Sequence, residues 1–263
     1  MNVYKFLKIA INASINGGNA IMEIYKTEFE VSYKKDESPL TLADRNCNEV
    51  IEKFLINTGI PILSEEGRDI AYSERKFWKY FWLVDPLDGT KEFVNRNGEF
   101  TVNLALIRDG SPIMGVVYVP VKGELYFAIE EMGSYKVTLN SNVEDVDVLI
   151  KKSFKLPIDY KREKFVIVGS RSHMSKETEL FFEEKRRENK HIDIISVGSS
   201  LKLCLVAEGK ADIYPRYAPT MEWDTAAGHA IVMYAGFSVK KYNSSEHLTY
   251  NKESLINPWF LVS

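Results

Sequence analysis

The run Phe81-Trp82-Leu83-Val84-Asp85-Pro86-Leu87-Asp88-Gly89-Thr90 constrains this chain more than any other stretch. An apolar strand delivers two carboxylates, three residues apart, into a turn marked by Pro86 and Gly89. Two carboxylates about 4 Å apart repel by about 4 kcal/mol at an effective dielectric of about 20. Placed where a strand emerges, the pair destabilises the fold unless something positive sits between them. Pro86 fixes one backbone angle and lacks an amide donor, and Gly89 permits angles closed to other residues, so side chains and a carbonyl oxygen can face one point. Hard oxygen ligands with no nearby His or Cys favour Mg2+ or Ca2+ over zinc. Asp, Pro and Gly are also ordinary turn formers, and that plainer reading stands beside the metal one.

With 263 residues, 45% of them hydrophobic and 27% charged, the composition is that of a soluble globular protein with a sizeable core, in one large domain or two small ones. The formal charge of −3 gives no general basic field for nucleic acid or anionic membranes. Small-molecule partners are expected, and phosphate recognition must be local. Lys5 and Lys8 are followed by Asn12, Asn16 and Asn19, and no run approaches the roughly 18 apolar residues of a span, so neither a signal peptide nor a membrane span is expected. Cys47 and Cys204 lie far apart in helix-like segments and read as reduced buried thiols, which makes a cytoplasmic location the expectation.

Val3, Phe6, Leu7, Ala10, Ala13, Ile21 and Ile24 recur at helical spacing, and a second helical pattern follows Asp44 through Val50, Ile51, Phe54 and Leu55. Short strands are expected at Ile62-Leu63 and Phe81 to Val84, both running into acids. Residues 101–137 read as an antiparallel meander broken at Asp109-Gly110 and Lys122-Gly123. The charged, weakly periodic stretch 140–164 is the expected boundary. An N-terminal α+β half, 1–150, would carry the antiparallel sheet and main metal ligands, and an α/β half, 151–263, would complete the site. Beyond the boundary a strand at Phe165 to Val168, a helix near Glu177 to Asn189 and a strand at Ile192 to Val197 alternate. Ser199 is the expected N-cap of a helix stopping at Gly209, and Asp224 or Thr225 that of a helix through Ile231 and Val232.

Asp44, Glu65, Asp85 with Asp88, and Asp224 each follow an apolar run or open a helix. If they converge, five carboxylates need roughly two to three divalent ions, and such clusters clamp both oxygens of an in-line phosphoryl displacement. The order of the motifs Asp85-Pro86-Leu87-Asp88-Gly89-Thr90 and, far downstream, Trp223-Asp224-Thr225-Ala226-Ala227-Gly228 resembles that of the lithium-sensitive, Mg2+-dependent phosphatases of the inositol monophosphatase superfamily. Nearly the whole chain takes part. The extension Lys91-Glu92-Phe93, the stretch Arg96 to Asn103, and the segments Gly169-Ser170-Arg171-Ser172-His173, Gly198-Ser199-Ser200-Leu201-Lys202 and Tyr214-Pro215-Arg216 resemble its CysQ-type 3'(2'),5'-bisphosphate nucleotidases.

The resemblance implies a layered αβαβα sandwich of mixed α/β (α+β) class, like that of inositol monophosphatases and fructose-1,6-bisphosphatases. It implies that Glu65, Asp85, Asp88, Asp224 and the Leu87 carbonyl bind two to three Mg2+ ions, with the amides of Gly89 and Thr90 on phosphate. A water activated by metal and oriented by Asp44 and Thr90 would attack the 3'-phosphorus of a nucleotide such as adenosine 3',5'-bisphosphate. Ser170, His173, Ser199, Lys202 and Arg216 would meet the rest of the substrate. A homodimer is left open. The Asn46-Cys47 pair departs from the family's usual pattern but touches no expected ligand.

On spacing alone Lys202 and Arg216 serve equally as solvated surface charges, Asp44 as a helix cap, and Glu66 as an acid outside the ligand set. Leu87-Asp88-Gly89-Thr90 also looks like the end of the haloacid-dehalogenase signature D-x-D-G-T, but Pro86 occupies the nucleophile's place. Other readings are an inositol monophosphatase, a fructose-1,6-bisphosphatase, or a non-catalytic cation-binding protein. The pairing of Thr90 with Asp44 argues against the last, since both are needed only where a water must be positioned.

Overall fold

The computed structural model describes residues 2–27, 31–33, 39–139, 145–170 and 175–263. The two helical patterns at the start form α1 (Val3–Tyr25) and α2 (Leu42–Leu55), joined through a short antiparallel pair, β1 (Val31–Tyr33) and β2 (Pro39–Thr41). Their apolar stripes bury Leu7, Ile11 and Ile21 against Cys47, Ile51 and Leu55. Gly17 permits this approach, because a Cβ there would lie 2.8 Å from Cys47 Sγ.

Next come β3 (Ile62–Ser64), α3 (Tyr72–Arg75), β4 (Tyr80–Asp88), α4 (Thr90–Val94), β5 (Thr101–Arg108), β6 (Ser111–Val119), β7 (Glu124–Ile129), β8 (Gly133–Thr138), α5 (Val146–Lys152) and β9 (Phe154–Lys155). The seven strands form one sheet in the order β3-β4-β5-β6-β7-β8-β9, parallel only between β3 and β4. The meander expected over 101–137 is β5 to β8. Asp109-Gly110 closes β5–β6 with both residues at positive φ, 50° and 77°, the twist that suits a two-residue hairpin. The sheet is covered on both faces, which is why β4 is apolar almost throughout. Trp82 and Val84 face the core of α1 and α2, whereas Phe81 and Leu83 face the opposite core.

The remaining elements are β10 (Phe165–Ser170), α6 (Lys176–Glu188), β11 (Ile192–Val197), α7 (Leu201–Glu208), β12 (Tyr214–Arg216), α8 (Glu222–Tyr234), β13 (Val239–Lys241) and β14 (Phe260–Val262). β10 and β11 are parallel, β12-β14-β13 antiparallel, and Val168 N donating to Ile213 O at 2.9 Å ties the two sets together. α7 and α8 lie between the large sheet and these strands, sharing a core in which Val166 and Val168 meet Leu203 and Val206. Phe182 of α6 packs on the far face against Ile167 and Ile213. The order is helix, sheet, helix, sheet, helix, as the resemblance implied.

Four local expectations change. β4 does not stop at Val84 but continues through an irregularity to Asp88. Ser199 is not the cap of α7: it sits at φ 48°, and Ser200 precedes the helix. Neither Asp224 nor Thr225 caps α8, which starts at Glu222. Asp224 works from inside the first turn, accepting Met221 N at 2.9 Å. Similarly, Asp44 lies within the first turn of α2 rather than ahead of it. The weakly periodic stretch 140–164 holds α5 and β9, and β9 adds to the large sheet by pairing with β8. No helix among the described residues is long and apolar enough to cross a membrane.

Candidate active site

The parallel pairing of β3 with β4 places Glu65 beside Asp85, and Glu65 N donating to Val84 O at 3.1 Å carries the ladder past the end of β3. The first turn of α8 brings in Asp224. One carboxylate oxygen from each of Glu65, Asp85 and Asp224 lies within 4.8 Å of the others. Asp85 is 1% exposed; its Oδ1 accepts Leu87 N at 3.1 Å, and its Oδ2 is buried without a hydrogen-bond partner among the described residues. A buried carboxylate oxygen with no donor is costly, and in native sites it marks an ion or water.

Burial pushes the Asp85 carboxyl well above the usual carboxylate range, and the charges of Glu65, Asp88, Asp224 and Asp44 push it further. Burial raises Asp224 in the same way, followed by Asp88 and Glu65. Burial also raises Asp88, against the opposing pull of Lys202, the Ser200 amide, Asn103 and Arg216. These acids cannot all ionise without positive charge among them. With oxygen donors only, an orphaned Asp85 Oδ2 and a spacing set by one sheet and one helix, the group fits a divalent cation.

Between Asp85 and Asp88, β4 carries one more residue than β5: Asp85 pairs with Asn103 and Asp88 with Thr101, a bulge that re-aims the acids at the strand end. The Cys47 thiol donates to Pro86 O at 3.1 Å, so α2 braces the bulge from behind. Asp44 is buried on the same helix, close enough to raise both Asp85 and Cys47. Gly89, at φ 92°, turns the chain into α4, where Thr90 Oγ1 lies 3.5 Å from Leu87 O.

These parts open on a cavity of about 260 Å³ lined by Glu65, Asp88, Gly89, Thr90, Ser170, Ser199, Lys202, Arg216 and Asp224, among others. Asp44, Asp85 and Leu87 are buried and do not line it. His173 lies outside the described residues. Lys202 is 6% and Arg216 8% exposed, which removes the reading of either as a solvated surface charge. Lys202 Nζ donates to Ser199 O at 2.5 Å; burial lowers it to about 8, Asp88 raising it and Arg216 lowering it. Arg216 Nη2 donates to Pro219 O at 2.9 Å, while its Nε and the Ser199 hydroxyl are buried without partners among the described residues. The cavity is thus bipolar, acidic at the α8 end and cationic along α7 and β12.

Sequence reasoning assigned no role to Asn103 and Ser200, which both hydrogen-bond Asp88. A signal existed: Thr101 and Asn103 are polar positions at the head of a strand that is buried and apolar from Leu104 to Ile107. Such residues need a partner, and period-two alternation puts both on one face.

A sequence model of the inositol monophosphatase family matches residues 2–259. The 3'(2'),5'-bisphosphate nucleotidase CysQ of Salmonella typhimurium (strain LT2) is 41% identical over 252 residues, covering 94% of this chain and 95% of its own. A crystal structure of CysQ from Bacteroides thetaiotaomicron superposes with a TM-score of 0.91 at 49% identity, covering 99% of this chain and 98% of that one. A Thermotoga maritima IMPase shares the fold at a TM-score of 0.74 and 23% identity, with 100% and 92% covered. The acid order, the layered fold and the match along almost the whole length agree: the chain belongs to the inositol monophosphatase family of phosphatases.

Proposed function

We propose that the protein is a Mg2+-dependent 3'(2'),5'-bisphosphate nucleotidase that hydrolyses adenosine 3',5'-bisphosphate to AMP and phosphate. The observation that carries this reading is the bipolar cavity, where an acidic nest and two buried cations, Lys202 and Arg216, face the same space. A substrate with two phosphates on one ribose matches that layout, one group at the nest and one at the cations. Similarity to the CysQ nucleotidases over nearly the full length supports the same choice.

In this reading Glu65, Asp85, Asp88, Asp224 and the Leu87 carbonyl hold two to three Mg2+ ions. The bound ions supply Lewis acidity and neutralise charge that develops on the phosphoryl oxygens. The amides of Gly89 and Thr90 orient the reacting phosphate, in a turn that Gly89 alone can make at its backbone angle. Asp44 and Thr90 orient the water for in-line attack. Its oxygen forms the new bond to phosphorus while the bond to the ribose 3' oxygen breaks; of the water's two protons, one ends on that leaving oxygen and the other on the released phosphate. Lys202, Arg216 and Ser199 grip the second phosphate, with Ser170 lining the same cavity. The N-terminal half, 1–150, brings most metal ligands, and 151–263 brings Asp224 and the cations. Buried thiols at Cys47 and Cys204 are in keeping with a cytoplasmic setting.

Phosphate release from adenosine 3',5'-bisphosphate and from inositol 1-phosphate, with and without Mg2+ and Li+, tests the proposal. Preference for the nucleotide is expected, with Mg2+ required. In Lys202→Met, loss of a charge-assisted contact worth about 1.5–3 kcal/mol should cut kcat/KM on the nucleotide by about tenfold to a hundredfold, and by less on inositol 1-phosphate. Equal losses on both substrates would remove Lys202 from second-phosphate recognition. A preference for inositol 1-phosphate would replace the nucleotidase reading with an inositol phosphatase one.

A further inference from the structure

Asp88 reaches the cavity with its two oxygens in different situations. Oδ2 accepts the backbone amide of Ser200 at 2.5 Å and the Asn103 side-chain amide at 3.4 Å. Among the described residues nothing hydrogen-bonds Oδ1, and Asp88 lines the cavity. Ser200 is 2% and Asn103 1% exposed, so neither bond competes with bulk water.

The donors are themselves fixed. The Ser200 hydroxyl donates to Asn103 Oδ1 at 2.8 Å. It has one hydrogen, so at its 2.8 Å contact with Thr101 Oγ1 it must accept, and Thr101 donates. Holding Asn103 Oδ1 toward Ser200 turns Asn103 Nδ2 toward Asp88, the orientation an amide cannot keep if its oxygen loses that donor. The chain Thr101, Ser200, Asn103, Asp88 therefore runs one way, and it joins β5 to the start of α7.

We infer that Ser200 and Asn103 are positioning residues that lock Asp88 Oδ2 and so present Oδ1 alone to a cation in the acidic nest. Ser200 also ties that carboxylate to α7, two residues before Lys202, so the seat of the ion and of the cationic wall share one anchor. The inference rests on the metal-site part of the proposed function, and not on which phosphate ester is the substrate.

Mn2+ affinity, read by calorimetry and by electron paramagnetic resonance on the full chain without substrate, tests it. Wild type, Ser200→Ala, Asn103→Ala and Thr101→Val are compared, with unfolding midpoints measured on the metal-free proteins. Thr101→Val removes a buried hydrogen bond but leaves Ser200 donating to Asn103, so it controls for a purely structural loss. Weakening of Mn2+ binding by about tenfold or more is expected in Asn103→Ala, and a smaller weakening in Ser200→Ala, which keeps the backbone amide on Asp88 and loses only the hydroxyl that orients Asn103, with Thr101→Val near wild type. If Ser200→Ala fails to fold, Asn103→Ala carries the same comparison. Equal weakening in all three, unchanged affinity in Ser200→Ala and Asn103→Ala, or no Mn2+ binding by wild type would each overturn the inference. A wild type that binds Mn2+ but spares adenosine 3',5'-bisphosphate would sink the substrate reading and leave this one standing.

Discussion

Asp85 concentrates the electrostatic conflict of the molecule in one buried side chain. Its carboxyl is raised by burial and by four neighbouring acids, so the folded metal-free protein holds protons that the unfolded chain gives up. Stability contributed by such a group is present below the unfolded carboxylate range and is lost as pH rises toward the folded value. Raising pH from about 5 to about 8 without metal should therefore lower the unfolding midpoint of wild type more steeply than that of Asp85→Asn, and Mg2+ at about a hundred times its Kd should restore about 2.7 kcal/mol in wild type. Thermal unfolding at both pH values, with and without Mg2+, checks this. Identical slopes would mean that Asp85 ionises freely in the folded state. His229 works in the opposite direction: burial lowers it to about 3, so its contribution is lost as pH falls, and it cancels in the comparison. Among single residues the acids were legible because charge at the end of an apolar strand needs a reason. Ser200 was not, because its partner Asp88 lies 112 residues away in the chain, and Asn103 was legible only as a buried polar residue in need of a partner.

At the scale of elements, α7 is held at both ends. Its start bears Ser200 and Lys202; its end bears Glu208, 1% exposed, which accepts from Tyr126 at 2.8 Å, Tyr160 at 2.6 Å and Lys136 at 3.2 Å, and pairs with Lys210 at 2.8 Å. Tyr126 and Lys136 belong to β7 and β8, so this network clamps the helix to the large sheet. Removing one partner of a buried charge pair strands the other, here Lys136, left with Glu124 at 2.8 Å. Glu208→Ala should cost about 3 kcal/mol in chemical denaturation, and Glu208→Gln less; a loss below about 1 kcal/mol in Glu208→Ala would contradict the clamp. Long periodic elements such as α1, β5 to β8 and α6 were readable from spacing, since one buried face imposes one period. Starts and ends were not. β4 runs past Val84 because Asn103 and Thr101 on β5 supply partners for its last residues, and α8 starts before Asp224 because the acid folds back on Met221 N. Both depend on tertiary neighbours that local pattern does not contain.

For the molecule as a whole, the layered fold serves to bring six separate elements to one site. β3 and β4 supply Glu65, Asp85 and Asp88, α8 supplies Asp224, α2 braces the bulge through Cys47, and α7 with β12 closes the opposite side with Lys202 and Arg216. The layer order was legible only through resemblance to a known family, because periodicity names elements and not their stacking. Anomalous diffraction from crystals soaked in Mn2+ most directly tests whether Glu65, Asp85 and Asp224 together seat a divalent cation. A strong peak within coordination distance of all three carboxylates, lost in Asp85→Asn crystals, is expected. Crystals of wild type with manganese elsewhere and none between those side chains would contradict it.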